Sequence, residues 1–395
     1  MTEQVNNKGR NKLFTLLVIG HTGIHWFKQI YPILLPTIKS ELELTDVQIG
    51  TIVTANEAAS GTLTMPSGII ADTYYKHRGL ILGGSLVLCG LAYFLVGFYA
   101  NYLFVILGFM VLGLASAAWH PAAQSSLSTF FPDKRGFALA GHGMGASIGD
   151  TIAPIAIGFL LLYFSWTNLA QWQFIPALIL GLIIFSLTRK SFHTNVSPPS
   201  LSNYVSGIKE LLMNPFVLAV MFASSFVGMA RLAIIGFLTI YLTEYLGYPP
   251  YWVGINWALL YVMGIVSQPI MGYVSDKFSR KTVVLPAFLT LSVCYFLIPF
   301  ATNPIVLGII IGAMGMFFYG TSNITTAAVL DVAQSQLHGT STSIMSVFRQ
   351  VFTLPSPIIA AYIITIYGMS ALFYYAAILL LVASVFWAFI KIPKA

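Results

Sequence analysis

The residues able to do chemistry are few, and several stand where charge is costly. Lys28, Glu57, Asp150, Arg231 and Arg349 interrupt long apolar runs, as do His21, His25, His120 and His142, while Glu244 and Asp331 lie near the ends of such runs. An ionisable group in a membrane-spanning stretch costs about 2.5–3.5 kcal/mol on insertion scales, so each of these needs a partner or a task. Buried cations suit the capture of an anion. Acids and imidazoles suit the carriage of a proton, because both are readily moved to titrate near neutrality. His21 and His25 stand four residues apart on one helical face, a spacing that can chelate a metal. No cysteine or carboxylate lies nearby in the sequence to complete that set, so no metal site is expected.

The elements that position these residues follow from composition. Of 395 residues, 57% are hydrophobic and only 8% charged, too few charges to clothe a water-soluble chain of this size. Mean hydropathy is +0.83, which makes this an all-α polytopic membrane protein. A span needs about 20 apolar residues. Twelve segments meet that length: 13–37, 47–71, 80–100, 102–128, 136–162 and 170–188, then 214–243, 251–274, 282–301, 303–330, 338–364 and 369–390. Cys89 and Cys294 both sit in apolar runs, which excludes a disulfide framework. The basic residues form no stripe, which argues against nucleic acid as a partner. Fifteen of the nineteen instead fall at the termini or in the even-numbered loops, placing both termini in the cytoplasm. The expected location is the cell inner membrane.

The polar stretch 189–213, rich in Ser and Pro, reads as a cytoplasmic linker between a first six-helix bundle, 1–188, and a second, 214–395. Its end, 203–213, suits a short amphipathic helix at the membrane surface. Sliding the second bundle back by 203–204 residues aligns Gly68 and Asp72 with Gly272 and Asp276, Pro154 with Pro357, His120 with Asn323, and Lys28 with Arg231. Tandem repeats of this kind place a binding site where the halves meet. At about 1.5 Å per residue, Lys28 and Arg231 both lie roughly 22–26 Å from the cytoplasmic face. His21, His120 and His142 come to similar depths on three different spans.

The loop sequences GIIADTYYKHRG and GYVSDKFSRK resemble the paired cytoplasmic signature of the major facilitator superfamily, Gly-x-x-x-Asp followed by bases. The first copy is looser, with Thr73 where a base is usual. The resemblance covers the whole chain and implies twelve helices in two pseudo-symmetric six-helix bundles. It assigns Gly68, Asp72, Arg78, Gly272, Asp276 and Arg280 to a gating latch. It also implies that spans 1, 4, 7 and 10 line the transport cavity, so that Lys28, Arg231, His21, His25, Trp26, His120, Asn323 and Tyr319 are candidate substrate contacts. Trp119 and Tyr261 are weaker candidates of the same kind. Spans 2 and 11 meet across the halves in this family, which pairs Glu57 with Arg349 for proton coupling, with Asp150 and His142 as rival proton carriers. The segment WHPAAQSSLSTFFPDKRGFALAGHGMGASIGDTIAPIAIG further resembles the fosmidomycin-resistance group, whose members export a phosphonate antibiotic against protons. Here Ala153 precedes Pro154 where antiporters carry Gly.

The expected function is therefore secondary active transport of a small organic anion by alternating access, coupled to protons, with export preferred. Uptake of an anionic nutrient or a carboxylate metal chelate is the alternative. An intramembrane enzyme is disfavoured: HExxH is absent, and the repeat spreads its matched residues about an axis. Neither a nucleotide-binding loop nor a cofactor motif occurs. The expected partners are the solute, protons and the lipid bilayer, with the protein a monomer.

Overall fold

The structure, a computed structural model, describes residues 7–189, 213–331 and 338–390. The linker 189–213, with its surface helix, lies outside the described residues except for Arg189 and Met213. The described secondary structure is helical throughout. In chain order the α-helices are α1 Asn7–Glu41, α2 Asp46–Thr73, α3 Arg78–Phe98, α4 Tyr102–Phe130, α5 Arg135–Leu160, α6 Trp166–Trp172 and α7 Phe174–Thr188. They continue as α8 Pro215–Ile240, α9 Pro250–Lys277, α10 Arg280–Leu297, α11 Pro304–Phe318, α12 Gly320–Leu330, α13 His338–Thr353, α14 Ser356–Tyr367 and α15 Ser370–Phe389.

Among the described residues, ten helical stretches, short interruptions included, are long and apolar enough to cross a membrane. Helices α1 and α2, of 35 and 28 residues, have the length but carry more polar groups, among them the candidate site residues His21, His25, Lys28 and Glu57. Two helix starts are capped by a common device: Asn214 and Asn303 each precede a proline at the first helical position and accept from the next free backbone N–H groups. Three expected spans are broken. The sixth bends at Gln173 between α6 and α7, the tenth at Tyr319 between α11 and α12, and the eleventh before Ser356. Pro355 explains the last break, since proline lacks the N–H that would continue the ladder and disfavours helix in the residue before it.

The chain divides into two compact units. The first takes residues 1–44, 55–198 and 249–255; the second takes 45–54, 199–248 and 256–395. In the first unit α1 packs along α5, and α3 packs on α4 and α7. In the second, α8 packs on α13 and α15, and α10 on α11 and α15.

Glycines set the closeness of the α1–α5 contact. A Cβ at Gly145 would stand 2.6 Å from the Val18 carbonyl oxygen, and one at Gly149 would stand 2.4 Å from that of Thr22. Hydrogen at these positions lets the two backbones touch, and Thr22 then donates across the gap to the Gly145 carbonyl at 2.9 Å. This approach brings the polar face of α5 onto the histidines of α1.

Candidate functional site

The first unit gathers four imidazoles. His21 stacks on His142 with ring centroids 3.6 Å apart and planes 3° from parallel, and His25 and His120 meet His21 edge-on at 4.6 and 5.2 Å. His21 donates from Nδ1 to the carbonyl of His142 at 2.7 Å, while His120 donates from Nδ1 to the carbonyl of Ser116 at 2.8 Å. The two Nε2 atoms of His21 and His120 lie 3.4 Å apart. His25 donates from Nδ1 to Asp150 Oδ1 at 2.8 Å, and Gln29 donates to the same oxygen at 2.7 Å.

That contact corrects one expectation. A carboxylate does complete the surroundings of His21 and His25, brought by α5 from 125 residues away. One ring nitrogen from each of His21, His25 and His120 lies within 4.8 Å of the others, so three imidazoles converge where no metal set was expected.

Lys28 is exposed and makes no hydrogen bond or ion pair among the described residues, yet it is close enough to act on His120 through its charge. Trp26 donates from its indole to Gln173 at 3.0 Å, at the break between α6 and α7. Trp119 is fully buried, its ring seated against Gly20, so it belongs to the core and makes no substrate contact from this position.

The second unit holds Arg231, the seventeenth residue of α8. Its guanidinium lies 4.7 Å from the centroid of Tyr319 and 5.6 Å from that of Phe318, and donates from Nη2 to Ser322 at 2.9 Å. Its Nε is buried without a hydrogen-bond partner, and no carboxylate pairs with it among the described residues. Tyr319 and Tyr261 share a hydroxyl contact at 3.1 Å, and Asn323 donates to Gln268 at 3.3 Å. Tyr319 and Ser322, three residues apart on one helical face, both reach the arginine. Sequence reasoning missed Ser322, Gln268, Gln29 and Gln173. Of these only Gln29 carried a signal, standing four residues after His25.

Glu57 and Arg349 fall in different units, both half-buried and both with interaction partners. The stem of Arg349 packs against α8 at Gly228.

The two signature loops are built differently. Arg78 is 2% exposed and donates to the Ala71 carbonyl at 2.9 Å and to Ser125 at 2.6 Å, tying α2 to α3 and α4. The side chain of Asp72 lies outside those described. In the second unit Arg280 pairs with Asp276 and Asp331, reaching Asp331 from Nε at 2.9 Å and from Nη2 at 3.3 Å. A Cβ at Gly68 would meet Pro121 only at ordinary contact distance and one at Gly272 would meet nothing within 4 Å, so neither glycine is required here by tight packing.

Comparison with known proteins places these features. The family model described as Major Facilitator Superfamily matches residues 17–356 and 257–395. The glycerol-3-phosphate transporter of Bacillus subtilis (strain 168) is 22% identical over 372 residues, covering 87% of this chain and 83% of the relative. The fosmidomycin resistance protein of Escherichia coli (strain K12) is 25% identical over 277 residues, covering 68% of this chain and 66% of the relative. The crystal structure of a bacterial homologue of the human lysosomal transporter Spinster superposes with a TM-score of 0.78 at 15% identity, over 97% of both chains.

Proposed function

The chain belongs to the major facilitator superfamily, and on that premise we propose that it is a secondary active transporter of a small organic anion of the phosphate or phosphonate type, exporting it in exchange for protons. The observation that carries this reading is Arg231. A permanent cation lies about 24 Å along its helix, propped by Tyr319 and Ser322, with a buried Nε unpartnered and no acid paired with it among the described residues. Guanidinium presents a planar fork of donors that fits an oxyanion, and such charge-assisted hydrogen bonds are worth about 1.5–3 kcal/mol each. Lys28 is the cation of the first unit that this reading assigns to substrate contact. His21, His25, His120, Trp26, Asn323 and Tyr319 supply polar and aromatic contacts.

Glu57 and Arg349 are the proton-coupling residues in this reading. Asp150 already accepts from His25 and Gln29, which fits a positioning role better than that of the proton carrier. Arg280 with its two acids, and Arg78 on its carbonyl and hydroxyl partners, serve as latches during alternating access. Both termini are cytoplasmic and the protein acts as a monomer. The relative named for glycerol-3-phosphate transport favours a second reading in which the same anion class is taken up.

The test is solute flux in proteoliposomes loaded with organic phosphates or phosphonates. Saturable counterflow that responds to a pH gradient is expected, and Glu57→Gln should retain counterflow while losing the response. Absence of counterflow across the panel contradicts the substrate class. Full pH response in Glu57→Gln removes Glu57 from the coupling.

A further inference from the structure

The histidine cluster of the first unit presents its nitrogens in an arrangement that neutral imidazoles alone do not favour. His21, His120 and His25 all donate from Nδ1, to the His142 carbonyl, the Ser116 carbonyl and the Asp150 carboxylate. Donation from Nδ1 fixes the tautomer and leaves a lone pair on Nε2 of each neutral ring. The Nε2 lone pairs of His21 and His120 then face each other at 3.4 Å with no hydrogen between them. Such a contact is repulsive unless a cation sits at it.

A proton could bridge two nitrogens, but a third imidazole is present. A nitrogen of His25 lies within 4.8 Å of the other two, and three convergent imidazoles exceed what one proton can use. Tetrahedral metal–imidazole bonds of about 2.0–2.1 Å separate ligand nitrogens by roughly 3.3–3.4 Å. The His21–His120 separation already has that value. His25 is half-buried and would close the remaining distance on binding. A metal-ligating histidine commonly gives its other N–H to a carbonyl or carboxylate, which orients the ring and raises its basicity. All three rings here have that partner, and Gln29 fixes Asp150 in turn.

We propose that His21, His25 and His120 form a three-imidazole site for one divalent transition cation of the zinc, cobalt and nickel class, with Asp150 as the residue that positions His25. Imidazole nitrogens select these borderline ions over magnesium or calcium, which prefer oxygen. Asp150 favours the ion by its charge, and Lys28, within electrostatic reach of His120, opposes it. The site does not depend on the anion reading of Arg231, which lies in the other unit.

The test uses the full-length protein, purified in detergent on a tag without histidine and titrated with Co²⁺ alone. One Co²⁺ per chain with the intense visible absorption of tetrahedral coordination is expected, displaced by Zn²⁺. X-ray absorption at the metal edge should show a nitrogen shell with imidazole scattering, and this measurement needs no variant. His25→Ala and His120→Ala should abolish the tetrahedral spectrum. Asp150→Asn should weaken binding roughly 10–100-fold as an outer-shell change does. Lys28→Gln should tighten it, which loss of a merely structural contact would not do. Absence of stoichiometric Co²⁺ binding to the wild type, or an oxygen-only shell, overturns the proposal and leaves a shared proton as the cluster's occupant. Tetrahedral binding that persists in a folded His120→Ala protein overturns it equally.

Discussion

Arg231 lies over the ring of Tyr319, its guanidinium carbon 4.7 Å from the ring centroid, where the tenth expected span is interrupted. Tyr319 and Ser322 stand three residues apart, on one helical face across the interruption, and both address this one side chain from α8. The arginine is thereby held in one orientation, which lowers the entropy lost when an anion binds.

The approach of α1 to α5 predicts a sharp contrast between two glycines. Gly149→Ala places a methyl 2.4 Å from the Thr22 carbonyl oxygen and 3.0 Å from the His25 Cβ, so backbone must move. The expected cost is about 1–3 kcal/mol, with a lower melting temperature in detergent. Gly143→Ala, which meets nothing within 4 Å, should be neutral or stabilising because alanine is the better helix former. Equal melting temperatures for wild type and both variants would contradict the packing argument.

A pH-dependent tether is expected at the start of α1. Arg10 pairs with Asp133 in the α4–α5 loop and lies 4.8 Å from the Phe131 ring centroid. The Arg10 hydrogen bond holds the Asp133 carboxyl below its usual range. A depressed carboxylate contributes its stabilisation above the unfolded-state pKa, about 3.9, and loses it as pH falls through the lower folded value. Hydrogen exchange in the loop should therefore stay slow at neutral pH and rise only in strong acid. In Arg10→Gln it should be faster already at neutral pH; no difference between the two proteins would show that the pair restrains nothing.

The second signature loop predicts unequal roles for two acids. Asp331 accepts from Nε and Nη2 of Arg280, whereas Asp276 accepts from Nη1, which is shared with Ser275. Asp331→Asn should shift the balance of inward- and outward-facing states more than Asp276→Asn, measured by labelling of cysteines placed on the two sides. Identical labelling in both variants and wild type would remove the latch.

Much of the fold was legible because hydropathy and positive charge act locally along the chain. Runs of about 20 apolar residues announce spans whatever they pack against. Asn214–Pro215 and Asn303–Pro304 announce helix starts by the same local logic. The convergence of His21, His120 and His142 could be read from depth alone. The pairing of His25 with Asp150 could not, because it depends on which face of α5 meets α1. The spacing of Gly145 and Gly149 held that information, four residues apart on one face, but in the sequence it pointed only to close packing. Trp119 was misjudged for a related reason. An aromatic on a cavity-lining helix can face inward or fill the core, and only the space left by Gly20 decides that it fills the core. The break at Tyr319 falls where the run passes from apolar residues to Gly320, Thr321, Ser322 and Asn323, a local change that a span-length criterion averages away.

The central claim is that Arg231 receives the negative charge of the solute. The most direct measurement is equilibrium binding of a panel of organic phosphates, phosphonates and dicarboxylates to wild type, Arg231→Ala and Arg231→Lys, at two pH values either side of neutrality. At least one anion should bind the wild type. Arg231→Ala should lose about 2–5 kcal/mol of that binding while remaining folded, the usual cost of removing one partner of a buried charge pair. Arg231→Lys should recover only part of it, since an ammonium cannot stack on Tyr319 or present a planar fork. Unchanged anion affinity in a folded Arg231→Ala protein would contradict the account.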